Sequence, residues 1–141
     1  MRLTLNFDSD EFDCHSGEGV PAHVIPNLKR LCMTVLQPLR EEWYGPIIIV
    51  SGWRSPKWNE KVGGAKASKH MTGEAADIRP VFLDTLPKFE AMVERLWANG
   101  RLPGLGAIGK YPRWLHLDIR PKKPNGTLAR WDGRGVGSEN A

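Results

Sequence analysis

Apolar residues recur along this chain at two periods, and the change from one to the other maps its elements. Leu28, Leu31, Val35 and Leu36 share a helical stripe. Pro26 suits the first turn of that helix, which runs to about Tyr44. Pro38 removes a backbone donor inside it and predicts a bend or break there. Gly45 and Pro46 end the helix, and the run from Ile47 to Ser51 reads as a buried strand. Ser55 followed by Pro56 supplies a cap and a first helical position, so a short helix extends from Pro56 to about Lys61. Gly63 and Gly64 stop it and open a loop. Ala75 to Arg79 forms a strand that Pro80 closes. Leu86, Phe89, Val93, Leu96 and Trp97 lie on one stripe of a helix from about Leu86 to Asn99, with Pro87 in its first turn.

Leu105 to Ile108 and Trp114 to Ile119 are two further strands. The stretch Lys122 to Gly126 has the composition of a hairpin turn, with Thr127 to Trp131 returning as the partner strand. Residues 1–22 are turn-rich and show no period, and residues 132–141 form a small, polar tail expected to be flexible. Helices and strands do not alternate strictly, and the last third is mostly strand. The expected fold class is α+β: one domain over residues 1–141, with a mainly antiparallel sheet and helices packed on it.

Composition narrows the classes. With 141 residues, the chain is the size of one domain and leaves little room for a separate cofactor domain. No apolar run reaches the roughly 18 residues that span a bilayer, so no membrane span is expected. The start, Met1 to Phe7, has neither a long apolar region nor a small-residue cleavage site, and predicts no secretory signal. Cys14 and Cys32 make no disulfide framework and read as reduced, structural residues. The formal charge of +4 is mildly basic and would suit a polyanion such as nucleic acid or an acidic cell wall. The basic residues are dispersed and carry no recognition motif, so no nucleic acid partner is expected.

Two segments carry candidate chemistry. In Trp114-Leu115-His116-Leu117-Asp118-Ile119-Arg120, strand alternation puts Leu115, Leu117 and Ile119 on a core face and His116, Asp118 and Arg120 on the other. In Ser68-Lys69-His70-Met71-Thr72-Gly73-Glu74-Ala75-Ala76-Asp77, the odd spacing of His70 and Asp77 rules out one face of a single strand. A loop at His70, a turn at Gly73 and a returning strand at Asp77 would bring imidazole and carboxylate to one point. His116 is the third ligand best placed by type, completing a His, Asp, His set suited to a catalytic zinc with one open position. The cluster Asp8, Asp10, Glu11 and Asp13 lacks the loop pattern of a calcium site and reads as a solvated loop. His15 and His23 read as surface or packing residues.

The run Ser51-Gly52-Trp53-Arg54-Ser55-Pro56, then Asn59, Val62-Gly63-Gly64-Ala65 and the segment Ser68 to Ile78, closely resembles the zinc D-Ala-D-Ala carboxypeptidase family. That family includes peptidoglycan endopeptidases and shares its fold with the Hedgehog signalling domain. Gly109 to Asp118 and Ala129-Arg130-Trp131 are similar to it as well, and Glu11-Phe12-Asp13-Cys14 and Asn27-Leu28 resemble its short phage and prophage branch. The resemblance covers residues from about 7 to 131. It implies His70, Asp77 and His116 as ligands of one zinc ion per chain. It implies Arg54 as a catalytic and substrate-binding arginine, suited to a peptide carboxylate or an oxyanion. It puts Ser68 where a serine holds either the substrate or the loop.

Some branches place a catalytic Glu three residues before the last His ligand, where this chain has Arg113. Asp118 is then the candidate base, or else a partner that orients His116; Glu74 is a weaker candidate. The implied substrate is a peptide bond in peptidoglycan, cut by carboxypeptidase or endopeptidase action; a monomer is expected. Trp53, Trp58 and Trp114 flank the motifs and read either as groove walls or as core. A non-catalytic wall-binding or structural module of the same fold is the alternative. With no signal, a wall-cutting enzyme of this kind is expected to accumulate in the cytoplasm and be released at lysis, as for a phage or prophage product.

Overall fold

The computed structural model describes residues 1–134. Its main sheet has five strands: β3 (Ile47–Ser51), β4 (Ala75–Pro80), β5 (Ala107–Lys110), β6 (Leu115–Asp118) and β7 (Ala129–Asp132). They lie in the order β3-β4-β6-β5-β7, antiparallel except for the β5/β7 pair. Helices α1 (Ile25–Leu31), α2 (Gln37–Glu42), α3 (Pro56–Lys61) and α4 (Leu86–Ala98) complete the α+β architecture. Leu28 and Leu31 of α1, Phe89, Val93 and Leu96 of α4, and Ile78, Leu115 and Leu117 of the sheet share one buried core. The alternation read along β6 therefore holds: its leucines face that core, and His116 and Asp118 lie on the opposite face.

The bend expected at Pro38 takes a specific form. Cys32–Leu36 is a π-helical segment between α1 and α2, in which the Gln37 N–H bonds to the Cys32 carbonyl. Shifting to the wider ladder just before Pro38 absorbs the donor that proline lacks. Cys32 is buried in this segment, and burial pushes its thiol up to about 12. Cys14 is buried too, and both cysteines are free.

Two expectations are corrected. Thr127 to Trp131 does not return as a hairpin partner of the preceding strand. Both edges of β6 are already taken, by β4 and β5, so β7 adds beside β5 and runs parallel to it. The strand expected at Leu105 to Ile108 begins instead at Ala107, because the Leu105 N–H is taken by a turn, donating to the Leu102 carbonyl at 3.1 Å. Asp132 closes β7, and the rest of the expected tail from residue 135 lies outside the described residues.

The N-terminal region is more ordered than its composition suggests. β1 (Arg2–Thr4) and β2 (Phe7–Asp8) form a small hairpin, followed by a 3-10 turn at Ser9–Phe12. Asp8 accepts from the Asp10 N–H at 3.1 Å, and Glu11 accepts from the Asp8 N–H at 2.7 Å, a reciprocal cap. Asp13 accepts from the Val20 N–H at 3.0 Å. These carboxylates serve the backbone, in keeping with their reading as a loop rather than a metal site. Among the described residues no helix is long and apolar enough to cross a membrane.

Candidate metal centre

Strand register brings the two sheet residues of the site together. Asp77 of β4 lies directly opposite His116 of β6 in the antiparallel ladder. His70 arrives from the 3-10 turn Lys69–Thr72, which Ser68 caps by accepting from the His70 N–H at 3.2 Å. Gly73 ends that turn at φ 79°, a conformation that favours glycine, and sends the chain into β4. Side chains of His70, Asp77 and His116 are all buried, and one ligand atom from each lies within 4.8 Å of the others.

The hydrogen bonds around them sort the ring nitrogens. His70 Nδ1 donates to the Gly52 carbonyl at 2.7 Å, which leaves Nε2 as the bare nitrogen. Nε2 is buried, 3.3 Å from Asp77 Oδ1 but without the alignment of a hydrogen bond. A buried lone pair with no donor is costly unless something occupies it. His116 Nδ1 lies 2.9 Å from the same Asp77 Oδ1, and its Nε2 lies 2.8 Å from Asp118 Oδ2. Zinc bonds of about 2.0–2.1 Å in a tetrahedron place neighbouring ligand atoms roughly 3.3 Å apart. The nitrogen and oxygen donors thus fit a metal ion in chemistry and in spacing.

Electrostatics favour a cation at this point. Burial alone would raise the Asp77 carboxyl, but the His70 and His116 imidazoles beside it hold it well below the usual carboxylate range. Burial lowers His70 and wins there. Burial also works against a charge on His116, but its hydrogen bonds to Asp118 and Asp77 outweigh it and raise the imidazole. Asp118 is fully buried on the far side of His116 from Asp77. Its oxygens also accept from the Arg120 guanidinium, at 2.6 Å from Nη2 and 2.9 Å from Nε. Against burial, His116 and Arg120 hold Asp118 well below the ordinary range.

A cleft of about 350 Å³ opens beside these residues, lined by Arg54, Asp77, Trp58, Trp114 and His15 among others. Arg54 is only 4% exposed, so its charge is aimed rather than solvated. Its Nη1 donates to Asn59 Oδ1 at 3.2 Å, its N–H donates to the His70 carbonyl at 3.1 Å, and Nη2 lies 3.6 Å from Asp77 Oδ2. Gly64 makes this clamp possible, since a side chain there would overlap the Asn59 carboxamide and sit 3.0 Å from Arg54 Nη1. Ser68 does not line the cleft; its hydroxyl bonds the His70 turn. Trp58 and Trp114 wall the cleft, whereas Trp53 is buried and donates to the Met71 carbonyl at 3.1 Å. Glu74 lies away from the cleft, bonded to Thr72 and 3.6 Å from Arg30. Arg113 is exposed. A larger apolar groove, about 590 Å³, lies at the opposite ends of β3 and β4, by Trp43 and Phe82, and holds no acid or histidine.

Two residues near the site were not assigned from the sequence. Trp131 packs across Gly109, with its ring centroid 5.1 Å from that of His116, and the Arg120 guanidinium lies over the Trp131 ring at 5.1 Å. The similarity of Ala129-Arg130-Trp131 to a known motif was the available signal, but its role depends on the parallel placement of β7. His15, read as a surface or packing residue, stands on the cleft wall. No periodicity or spacing marks it.

A family model described as Peptidase M15 matches residues 5–118. Curated proteins, by contrast, yield no match to the chain. The matched stretch includes His70, Asp77, His116 and Arg54, in agreement with the resemblance read from the motifs; it does not distinguish the phage branch. Spanning well over half of its length, this match means that the chain belongs to the Peptidase M15 family.

Proposed function

We propose that the protein is a zinc-dependent peptidase that hydrolyses a peptide bond in peptidoglycan stem peptides or cross-links. The observation that carries this reading is the buried, unpartnered Nε2 of His70 converging with Asp77 and His116. His70 Nε2, the Asp77 carboxylate and His116 Nδ1 would hold the ion. Zinc held there supplies Lewis acidity, polarising the scissile carbonyl and acidifying water. Arg54, on the cleft wall, binds the substrate carboxylate or the oxyanion that develops on the carbonyl. Trp58 and Trp114 provide apolar walls for the peptide. The charge of +4 favours residence on an anionic wall.

Asp118 belongs to this reading as the residue that orients His116. By accepting from Nε2 it would fix the tautomer that leaves the Nδ1 lone pair for the ion. Ser68 shapes the turn that delivers His70. In Asp118→Asn we expect zinc affinity to fall about 10–100-fold, with kcat at saturating zinc within about tenfold of the parent. A loss of three orders of magnitude at full zinc occupancy would instead make Asp118 the base.

One observation favours the second reading, a wall-binding module without activity: among the described residues, Asp77, itself a proposed ligand, is the only carboxylate on the cleft wall. Mass spectrometry of purified muropeptides after digestion, with and without chelator, separates the two. The peptidase reading expects chelator-sensitive release of a new amine, and the mass of the products names the bond. Retention on sacculi with no product at full zinc occupancy would establish the binding module.

A further inference from the structure

Amide hydrolysis needs a group that moves a proton from water to the leaving nitrogen. The carboxylates near the site are committed elsewhere. Asp77 lies between two imidazoles, and Asp118 is sealed behind His116 with its oxygens engaged. Arg54 is a permanent cation. Glu74 bonds Thr72 away from the cleft, and Glu18 lies in an adjoining pocket and accepts from Ser16 at 2.8 Å. Among the described residues that line the cleft, His15 is the one uncommitted imidazole, a group with one nitrogen to accept a proton and one to donate.

Its placement is built rather than incidental. His15 sits on a tight turn closed by two backbone bonds of 2.9 Å, from the Cys14 N–H to the Glu18 carbonyl and from the Gly17 N–H to the Cys14 carbonyl. Gly17, at φ 96°, allows the reversal. The foot of the turn is anchored by buried Cys14 and by Phe12, whose carbonyl accepts from the Trp53 N–H at 2.8 Å. Trp53 lies between Gly52, which holds His70, and Arg54. The turn is thus tied to the segment that organises the site. The His15 ring itself is exposed and makes no hydrogen bond or ion pair among the described residues.

We propose that His15 is the proton carrier of this site. The inference rests on the peptidase reading above. Water oxygen bonds to the scissile carbonyl carbon as His15 takes one of its protons. The carbon–nitrogen bond then breaks as His15 returns that proton to the departing amine, and the new carboxyl ionises to solvent. The imidazole ends as it began.

The test compares the zinc-loaded parent with His15→Gln and with Glu18→Gln, on a muropeptide and on its analogue with an ester at the scissile bond. An ester leaving group needs little protonation. In His15→Gln, kcat on the amide should fall about 100-fold with KM within about threefold, and the loss should shrink below about tenfold on the ester. Zinc content and thermal midpoint should match the parent, and Glu18→Gln should keep its kcat. Unimpaired amide cleavage by His15→Gln, an equal loss on both substrates, or a loss accompanied by lost zinc would overturn the proposal. So would a kcat loss in Glu18→Gln alone. A parent that cleaves neither substrate at full zinc occupancy removes the peptidase reading with it; an active parent and an unimpaired His15→Gln remove only the role of His15.

Discussion

Replacing His116 by alanine should abolish stoichiometric zinc binding and lower peptide hydrolysis by about 10³-fold or more, while the fold survives. The size of the effect follows from where the ring stands. His116 is fully buried between Asp77 and Asp118, so it meets the proposed ligand Asp77 on one edge and Asp118 on the other. Alanine leaves two donors, too few for a catalytic zinc site that keeps one position open. The strand itself should hold, because Leu115 and Leu117 pack into the core from the opposite face and the ladders to β4 and β5 use backbone groups. Asp77 keeps His70 and Arg54 beside it, and Asp118 keeps Arg120, so neither carboxylate is left unpaired. Elemental analysis and circular dichroism on one preparation check both halves. A variant that retains one zinc per chain would show that the three residues are not the ligand set.

Phe12→Ala should cost about 3–5 kcal/mol of stability, the largest expected loss from a single truncation in the N-terminal segment. Phe12 has no exposed surface and packs near the Phe7 ring, with centroids 6.4 Å apart. Its backbone lies against Gly52, where a side chain would collide with it. Truncation therefore opens a cavity between the N-terminal turn and the start of the Arg54 segment, and both are backbone-bonded to neighbours that limit collapse. Urea titration should show a lower midpoint with an unchanged slope. A loss under about 1 kcal/mol would mean that the N-terminal segment is an appendage rather than part of the core. The same substitution bears on function, since Phe12 anchors the turn that carries His15.

The two expectations together separate what is local from what is not. The stripes of α1 and α4, the strand at Ile47–Ser51 and the Ser55 cap of α3 are legible from spacing, because each depends on a period of 3.6 or 2 or on one terminal residue. So is the face shared by His116 and Asp118. The turn at Gly73 could be inferred because an odd spacing and a glycine left few ways to join His70 to Asp77. By contrast, the site of β7 depends on which sheet edge is free, and that is decided by pairings among strands far apart in sequence. The order around Phe12 follows from burial against Gly52, some forty residues away, which no period records.

The sequence by itself determined the element types, the core faces and a candidate metal-ligand set within a recognisable family pattern. Tertiary structure decided how those residues are used. Register put Asp77 opposite His116, a carbonyl at Gly52 selected the free nitrogen of His70, and burial placed Asp118 behind His116, bonded to its Nε2. It also carried His15 from an unpatterned turn to the cleft wall. The physical reason is common to all four. Side-chain periodicity encodes the direction in which a residue points, whereas proton position, access and partnership depend on what the rest of the chain brings alongside it.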